Sequence, residues 1–512
     1  SCPLFFKSLD PTTTPQHGHL TTHQLVPMEE LTSPLTRRRR KPRGTHLLVT
    51  IAILAAFCNG VFLNLRGPCV KDIATRAGIT PAQMGWFFIA SGGGGVIAAL
   101  PAGKLIDHLG TPTYTLALGL VLRAVTCFVL PFVTAPLPLM LIGVAQGMTL
   151  PVVGVSLRAC ILWTFSGKRA TPYLNLVMAA FGFGSMVAPL VYDWFAILTT
   201  SSAPLDWTFW GLACFSLLLA SASLCVDRTH FDRMKRKRQR IKDGGTAGTS
   251  NTAGTSNTAG VPGSLDGHTQ DTTTIVKDDA LYDTPDAEDH TMALPDPPAT
   301  RTTLGFFVLL NLYMAVSVGV ECTVGNWLYT LAGGNNVTGF STATWVNTTL
   351  WGSFTVTRLV LVYVLRRGAV HEKTILQGSH FIMAVGLGIS CYCFTLNSTG
   401  GAEGVVYPPW ALWMLTISFG IGIAPSFPNV MGLAGRLYPW PFSGMVQSTF
   451  GISANAGNGV LPGVAGLLTN VQGIGGLSFI YVPVVGVVVM QVLLMMLYCW
   501  RPVVAVEKYE YR

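Results

Sequence analysis

A hydrophilic segment divides this chain into two apolar halves, and it limits the possible folds more than any other feature. Between Asp227 and Arg301 the sequence is first basic, then acidic and rich in Thr and Gly. Each flank carries six apolar runs long enough to cross a bilayer, which takes roughly 20 residues per helix. Because hydrocarbon cannot hydrate a bare peptide group, these runs must be helices that pack together. The pattern predicts an all-α membrane protein with twelve transmembrane helices in two pseudo-symmetric six-helix bundles.

The composition excludes an ordinary soluble protein. Half of the 512 residues are hydrophobic, 11% are charged, and the mean hydropathy is +0.47. Soluble domains carry about 25% charged residues. The predicted spans are 46–66, 82–106, 113–133, 137–158, 173–198, 207–226, 304–331, 341–365, 374–396, 410–432, 443–469 and 478–500.

These spans divide the chain into five segments. We predict a disordered cytoplasmic tail over 1–45, a six-helix bundle over 46–226, a cytoplasmic linker over 227–303, a second bundle over 304–501 and a cytoplasmic tail over 502–512. The linker is basic and then of low complexity, with a repeated Thr-Ala-Gly-Thr-Ser-Asn sequence. It has too few apolar side chains to offset the entropy of ordering it, so we predict disorder.

The positions of the basic residues predict the orientation of the chain. With the N-terminus in the cytoplasm, most of the 33 lysines and arginines fall on the inner side, while Arg66, Lys71 and Arg76 fall outside. This is the positive-inside bias of membrane proteins. The formal charge of +9 therefore predicts contact with anionic lipid headgroups and not with nucleic acid.

Several further expectations concern the protein's surroundings. We expect a multi-pass protein of the plasma membrane with both termini in the cytoplasm, present as a monomer. The sequons at Asn336 and Asn397 lie in predicted outer loops, which makes them candidate glycosylation sites.

A short motif between the second and third spans points to a family. The sequence Gly103-Lys-Leu-Ile-Asp107-His-Leu-Gly110 resembles the inner-loop signature of the major facilitator superfamily. Gly103 and Gly110 permit tight turns, and Asp107 can accept hydrogen bonds from a facing helix end. The resemblance implies that Gly103, Asp107 and Gly110 form an inner gate. Thr111-Pro112-Thr113 stands where the family usually has basic residues.

Other motifs are similar to the fucose permease and sodium-dependent glucose transporter group of that superfamily. They include Phe181-Gly-Phe-Gly184, Gly319-Val-Glu321 and Gly422-Ile-Ala-Pro425. The resemblance implies a carrier for a hexose-like solute, with a central cavity walled by spans 1, 4, 5, 7, 8, 10 and 11. After Gly147, however, this chain has Met148-Thr-Leu150 in place of that group's carboxylate and amide. This apolar stretch keeps open a carrier of a less polar solute.

Ionisable residues inside the predicted spans each need a reason, because insertion costs about 2.5–3.5 kcal/mol. Glu321 is the carboxylate that we place well inside a span, where it could exchange a proton, bind sodium or accept a hydrogen bond from a sugar hydroxyl. The alternative is an internal ion pair that holds helices together. We assign Arg123 to a structural pair with a carboxylate or with backbone carbonyls. Arg158 and Arg358, near the inner ends of their spans, are assigned to snorkelling towards headgroups.

Amide and indole side chains complete the predicted substrate site. Amides both donate and accept hydrogen bonds, which suits a neutral polyol, and an indole ring can stack on a sugar. Hydrogen bonding between helices is the alternative for each amide, and an interfacial belt is the alternative for the indole. With Glu321, the candidates are Asn59, Gln146, Asn326, Trp327, Asn429 and Asn455.

No motif indicates an enzyme. The sequence has no Walker loop, no Gly-x-Ser-x-Gly elbow and no paired metal ligands on a helix face. We therefore predict no catalytic residue, metal or cofactor, apart from a coupling H+ or Na+. The predicted function is secondary active or facilitative transport of a small polar solute by alternating access. A sensor or scaffold that keeps the transporter fold without transporting is the alternative from another class.

Overall fold

A computed structural model describes residues 44–165, 170–199, 204–226, 300–334, 340–367, 370, 372–398, 409–437, 444–471 and 475–499. The predicted tails and most of the predicted linker lie outside these residues, as does Asn336. Asn397 falls in the last turn of a helix. The helices are α1 Gly44–Asn64, α2 Arg66–Arg76, α3 Met84–Leu109, α4 Pro112–Val129, α5 Pro136–Thr164, α6 Ala170–Leu198, α7 Pro204–Leu224, α8 Thr300–Gly334, α9 Phe340–Arg367, α10 Glu372–Ser398, α11 Pro409–Ile423, α12 Ser426–Leu437, α13 Gly444–Leu468 and α14 Ser478–Cys499.

Eleven helical segments in the described part of the chain are long and apolar enough to cross a membrane. The one predicted span not among these eleven is 443–469, which corresponds to α13; this helix has 25 residues and would measure about 37 Å at 1.5 Å per residue. That length exceeds the roughly 30 Å of bilayer hydrocarbon. Its Ser, Asn, Gln and Gly residues lower its hydropathy, and it lies between α3 and α8 rather than on the lipid-facing side alone.

The packing of the helices repeats from one half to the other. In the first half α1 packs on α6, α3 on α5, and α4 on α7. In the second half α8 packs on α13, α9 on α11, and α10 on α14. These are the same pairs counted by span: first with fifth, second with fourth, third with sixth. The predicted pair of pseudo-symmetric six-helix bundles is therefore confirmed.

Two helix pairs join the halves, and they are also related by the pseudo-symmetry. Helix α3 packs on α13, and α6 packs on α9. Counted by span, α3 and α13 are the second and eleventh, and α9 and α6 are the eighth and fifth. Exchanging the two halves therefore converts the first of these pairs into the second. A single pseudo-two-fold axis thus relates both the bundles and their contacts.

Glycine residues bring α3 and α13 together along much of their length. A Cβ atom on Gly92 would lie 2.4 Å from the Cα of Gly459, and one on Gly85 would lie 2.6 Å from the carbonyl oxygen of Gly463. Towards the other end, a Cβ on Gly103 would lie 2.0 Å from Ser448 Oγ. In a bilayer, where apolar burial gives little driving force between helices, such close backbone packing supplies the attraction.

Three local features differ from the sequence-based spans. Helix α5 continues to Thr164 instead of ending near 158. The tenth span divides into α11 and α12 just before Ser426, because Pro425 and Pro428 lack the N–H groups that would continue the helix. Helix α2 follows α1 directly and packs against α8. It lacks a long apolar run, which is why the hydropathy pattern did not reveal it.

The glycine contact between α3 and α13 predicts a position-specific loss of stability. We expect Gly92→Ala to lower the apparent Tm of the detergent-solubilised protein by several degrees, since overpacking costs about 1–3 kcal/mol. Gly93→Ala is the matched control, because a Cβ at Gly93 meets no atom within 4 Å. Equal melting temperatures for the two variants would contradict the proposed contact.

Candidate functional site

A cavity of about 140 Å³ lies between the two halves. It is walled by α1, α5 and α6 from the first half and by α8, α9, α12 and α13 from the second. These are spans 1, 4, 5, 7, 8, 10 and 11, as the sequence predicted. The polar side chains in the wall are Asn59, Arg158, Glu321, Arg358, Asn455 and Asn458.

Glu321 lies in the wall of this cavity, on α8, with 9% of its surface exposed. It interacts electrostatically with Arg358, which projects from the neighbouring helix α9. The two groups do not form a close ion pair. In the described part of the chain, the ion pair whose nitrogen and oxygen atoms lie within 4.0 Å is that of Arg76 with Asp206, outside the cavity. Glu321 is therefore a cavity carboxylate and not half of a tight helix-to-helix salt bridge.

Arg158 and Arg358 also line the cavity, which corrects the prediction that they snorkel to headgroups. Their exposed fractions are 8% and 1%. For Arg158 the cause is helix length, since α5 continues to Thr164 and the arginine does not stand at its end. For Arg358 the cause is the rotation of α9, which turns the side chain towards the cavity. Each guanidinium lies near a ring: Arg158 is 5.9 Å from the Phe427 centroid, and Arg358 is 4.2 Å from that of Phe354.

The two guanidinium groups keep unused hydrogen-bond donors. Nε of Arg158, and Nε and Nη1 of Arg358, are buried without a hydrogen-bond acceptor among the described residues. Leaving a buried charged donor unsatisfied costs more than about 1–3 kcal/mol. An arrangement of this kind is stable when something else in the cavity accepts those hydrogen bonds.

Two of the predicted amides lie in the cavity wall, and each already has a partner. Asn59 Oδ1 accepts a hydrogen bond of 2.7 Å from Nη2 of Arg123. Asn455 Nδ2 donates to the carbonyl oxygen of Gly451 at 2.7 Å. These bonds fix the orientation of the two amides in the wall. Asn458, which was not among the predicted residues, lines the cavity beside Asn455, and its Oδ1 accepts no hydrogen bond within the described chain.

Arg123 has a structural environment of a different kind from the one predicted. Besides Asn59, its guanidinium lies 4.4 Å from the ring centroid of Phe62, and its side chain is fully buried. No carboxylate lies within 4.0 Å of it among the described residues. An amide and an aromatic face therefore take the place of the expected carboxylate or carbonyl partners.

The remaining predicted binding residues are buried but lie outside the cavity wall. Gln146, Asn326 and Trp327 are placed on α5 and α8 on the side of the cavity nearer α2, where the helices close together. Trp327 donates from Nε1 to the Pro462 carbonyl at 2.9 Å and stacks on Phe479 with centroids 4.6 Å apart. Its ring is thus used within the protein and not offered to a solute.

Asn429 misses the cavity for another reason. Phe427 of α12 lines the cavity, while Asn429 comes two residues later. Residues two apart on a helix point in nearly opposite directions, so the amide faces away. It is buried at 3% exposure.

Contacts between the halves close the cavity on the side of α2. Asp193 of α6 accepts hydrogen bonds from Tyr329 Oη at 3.3 Å and from Thr344 Oγ1. Phe88 of α3 meets the ring of Trp327 edge-on at 5.5 Å. We call these contacts of Asp193, Tyr329, Thr344, Phe88 and Trp327 the α2-side closure.

Asp107 joins the halves at the opposite end of α3. Its two carboxylate oxygens accept hydrogen bonds from the backbone N–H groups of Gly444 at 2.8 Å and Met445 at 3.2 Å, the first residues of α13. A carboxylate at a helix N-terminus satisfies free N–H groups and interacts favourably with the helix dipole. We call this contact the Asp107 latch.

The two glycines of the loop motif serve different purposes. Gly110 ends α3 in the left-handed conformation with φ of +66°, which permits the tight turn that was predicted. Gly103 instead lies inside α3, where its missing side chain makes room for the first turn of α13. The prediction of a turn at Gly103 was therefore wrong, and close helix packing explains that glycine.

Comparison with known proteins agrees with this architecture. The family described as Major Facilitator Superfamily matches residues 52–402. The chain is 21% identical over 422 residues to "Sodium-dependent glucose transporter 1A" of Mus musculus, covering 81% of this chain and 88% of that protein.

Two solved structures share the fold. A variant of the E. coli fucose:proton symporter FucP matches with a TM-score of 0.51 and 14% identity, over 88% of this chain and 98% of that one. A D-xylose–proton symporter matches with a TM-score of 0.60 and 10% identity, over 87% and 97%. With two equivalent six-helix bundles, a cavity between them and a family match over most of its length, the chain belongs to the major facilitator superfamily.

Proposed function

We propose that this protein moves a small polar solute, a hexose-like sugar, across the membrane by alternating access. The observation that carries the proposal is the cavity between two pseudo-equivalent bundles, with Glu321, Asn59 and Asn455 in its wall. Transporters built from such repeats hold their substrate near the bilayer midplane between the repeats. Its similarity to a protein named as a sodium-dependent glucose transporter, and to fucose and xylose symporters, supports a sugar-like solute.

The two inter-half contacts supply a physical basis for alternating access. The α2-side closure holds the halves together at one end of the cavity, and the Asp107 latch holds them at the other. The α2-side closure consists of two hydrogen bonds and a ring contact, and the Asp107 latch consists of two hydrogen bonds. Either can therefore open for an energy of a few kcal/mol. Opening one while the other holds would expose the cavity to one side of the membrane at a time.

Glu321 is the proposed coupling residue. A carboxyl group in a cavity can carry a proton or bind Na+ together with the solute, and its charge is felt by Arg358 on the second-half helix α9. Loading or releasing the ion would therefore change the electrostatic balance around the solute. Both H+ and Na+ remain consistent with this arrangement.

The cellular setting forms part of the proposal. We place the protein in the plasma membrane as a monomer, with both termini in the cytoplasm and anionic headgroups against the basic inner segments. In that orientation the Asp107 latch faces the cytoplasm and the α2-side closure faces outwards. Glycosylation at Asn336 and Asn397 would then take place on the outer side.

One observation favours a second candidate function, a carrier of a less polar solute. Much of the cavity wall is apolar, with side chains from both halves. A small solute with an apolar part would contact these surfaces favourably, at about 25 cal/mol per Å² of apolar area buried. The apolar residues of the wall include Leu63, Leu150, Met178, Phe181, Val318 and Phe427.

Uptake into proteoliposomes tests the proposed function directly. We expect labelled hexose to enter protein-containing vesicles faster than empty ones, and to accumulate when an inward H+ or Na+ gradient is present. Uptake that is unaffected by both the H+ and the Na+ gradient would contradict the coupling role of Glu321. Absence of flux for hexoses and for less polar solutes, together with specific binding of a partner protein, would favour the sensor.

Neutralising Glu321 should separate exchange from accumulation. We expect Glu321→Gln to exchange solute across the membrane at a rate close to wild type but to lose gradient-driven accumulation, because glutamine cannot exchange a proton or balance Na+. Asp206→Asn is the matched control, as it neutralises a carboxylate that is paired with Arg76 outside the cavity. Accumulation by Glu321→Gln at the wild-type level would contradict the assignment.

Removing the Asp107 carboxylate should loosen the first turn of α13. Loss of a helix cap costs about 0.5–2 kcal/mol, so the amides of Gly444 and Met445 should exchange with deuterium roughly 2- to 30-fold faster in Asp107→Ala. Mass-spectrometric hydrogen exchange measures this at peptide resolution. The exchange rates in Asp107→Asn, which keeps one acceptor oxygen, should lie between those of the wild type and those of Asp107→Ala. Unchanged exchange in Asp107→Ala would contradict the latch.

A further inference from the structure

The interior of the described bundle carries more buried positive charge than negative charge. Arg66, Arg123, Arg158 and Arg358 are all at most 8% exposed, and Glu321 is the carboxylate that lines the cavity with two of them. Arginine stays protonated in proteins, so these charges cannot be removed by releasing a proton. An excess of guanidinium groups in a low-dielectric region is costly unless something compensates it.

Two of the four arginines form hydrogen bonds within the described chain, although each also has two buried nitrogens without an acceptor. Arg66 donates from Nη1 to Ser91 Oγ at 2.9 Å, and Arg123 donates to Asn59. Both also lie over the ring of Phe62, at 4.9 and 4.4 Å from its centroid. Neither of them lines the cavity. These two arginines link helices of the first bundle and lie outside the wall that a solute in the cavity would touch.

Arg158 and Arg358 differ because both line the cavity and neither hydrogen-bonds within the described chain. Their three buried and unsatisfied N–H positions were identified above. The titratable side chains in the cavity wall are these two arginines, Glu321 and Cys322. With Glu321 ionised, the net charge of the wall is +1. With Glu321 neutralised by a bound proton, the net charge is +2.

We propose that the transported solute carries an oxyanion, held between Arg158 of the first half and Arg358 of the second, so that sugar acids are preferred to neutral sugars. This inference rests on the proposed transport function and narrows its solute class. A carboxylate accepts the forked N–H donors of a guanidinium in two parallel hydrogen bonds. It also compensates the excess charge that the protein leaves unpaired.

The position of the two arginines connects binding with movement. Arg158 is carried by α5 in the first bundle and Arg358 by α9 in the second. An anion that contacts both guanidinium groups draws the two bundles towards each other around the cavity. The apolar side chains of Phe181 and Phe427, also in the wall, are placed to contact the carbon skeleton of the same solute.

A matched pair of solutes tests the charge preference in the unaltered protein. D-glucuronate and D-glucose share the same ring and differ at C6, where one has a carboxylate and the other a hydroxymethyl group. We expect purified wild-type protein in nanodiscs to bind glucuronate at least tenfold more tightly than glucose at equal ionic strength. Proteoliposomes should likewise take up labelled glucuronate in preference to glucose.

Arginine variants test the residues. We expect Arg158→Gln and Arg358→Gln each to weaken glucuronate binding tenfold or more, while Arg358→Lys keeps part of the affinity because the positive charge remains. Lys71→Gln is the control that removes one exposed positive charge away from the cavity, and it should bind like wild type. Thermal unfolding of each variant verifies folding, and the wild-type comparison stands even where a variant does not fold.

The outcomes separate the two proposals. Binding and uptake of glucose equal to or better than those of glucuronate would overturn the anion inference and leave the sugar-transport proposal intact. Arginine-dependent binding of lactate or propionate without binding of either sugar would uphold the anion inference and overturn the sugar part of the proposed function. Failure of all these solutes to bind would overturn both.

Discussion

The bilayer interior offers no water to a peptide group or to a charge, and that constraint shapes every part of this protein. Backbone amides are satisfied inside helices, and the helices attract one another through close contact rather than through apolar burial. Gly85, Gly92 and Gly103 allow α3 to touch α13 along one face. The same constraint turns Arg158, Glu321 and Arg358 inwards, away from lipid, and so collects them around one cavity.

Close packing and polar contacts have separate roles in this architecture. The glycine-lined face of α3 lies close against α13 over many residues and forms an extended contact between the two halves. The hydrogen bonds of Asp193 and Asp107, by contrast, are few and lie at opposite ends of the interface between the halves. An extended contact between small residues, with a weak closure at each end, is suited to rocking of one bundle against the other, which is the motion that the proposed function needs.

The charges of the cavity distinguish this chain from what its similarity alone would suggest. Similarity to sugar carriers supports a polyhydroxylated solute, for which amides such as Asn59 and Asn455 are suitable partners. The structure adds two guanidinium groups with unused donors, and it places the apolar Leu150 in the same wall. The sugar acid that we propose would reconcile these features, with its ring against the amides and its carboxylate against the arginines.

Hydropathy determined the number and approximate position of the spans, since crossing hydrocarbon demands an apolar run of known length. It also singled out Glu321, because a carboxylate in such a run is expensive.

Sequence could not decide which residues reach the cavity, since that depends on helix length, rotation and depth. Arg158 was misjudged because α5 extends further than its hydropathy indicated, and Arg358 because the rotation of α9 turns it towards the cavity. Trp327 was misjudged because it lies where the helices close, and Asn429 because α12 turns it away. The chain by itself determined that charges are buried, and only the packing of fourteen described helices decided which charges face one another.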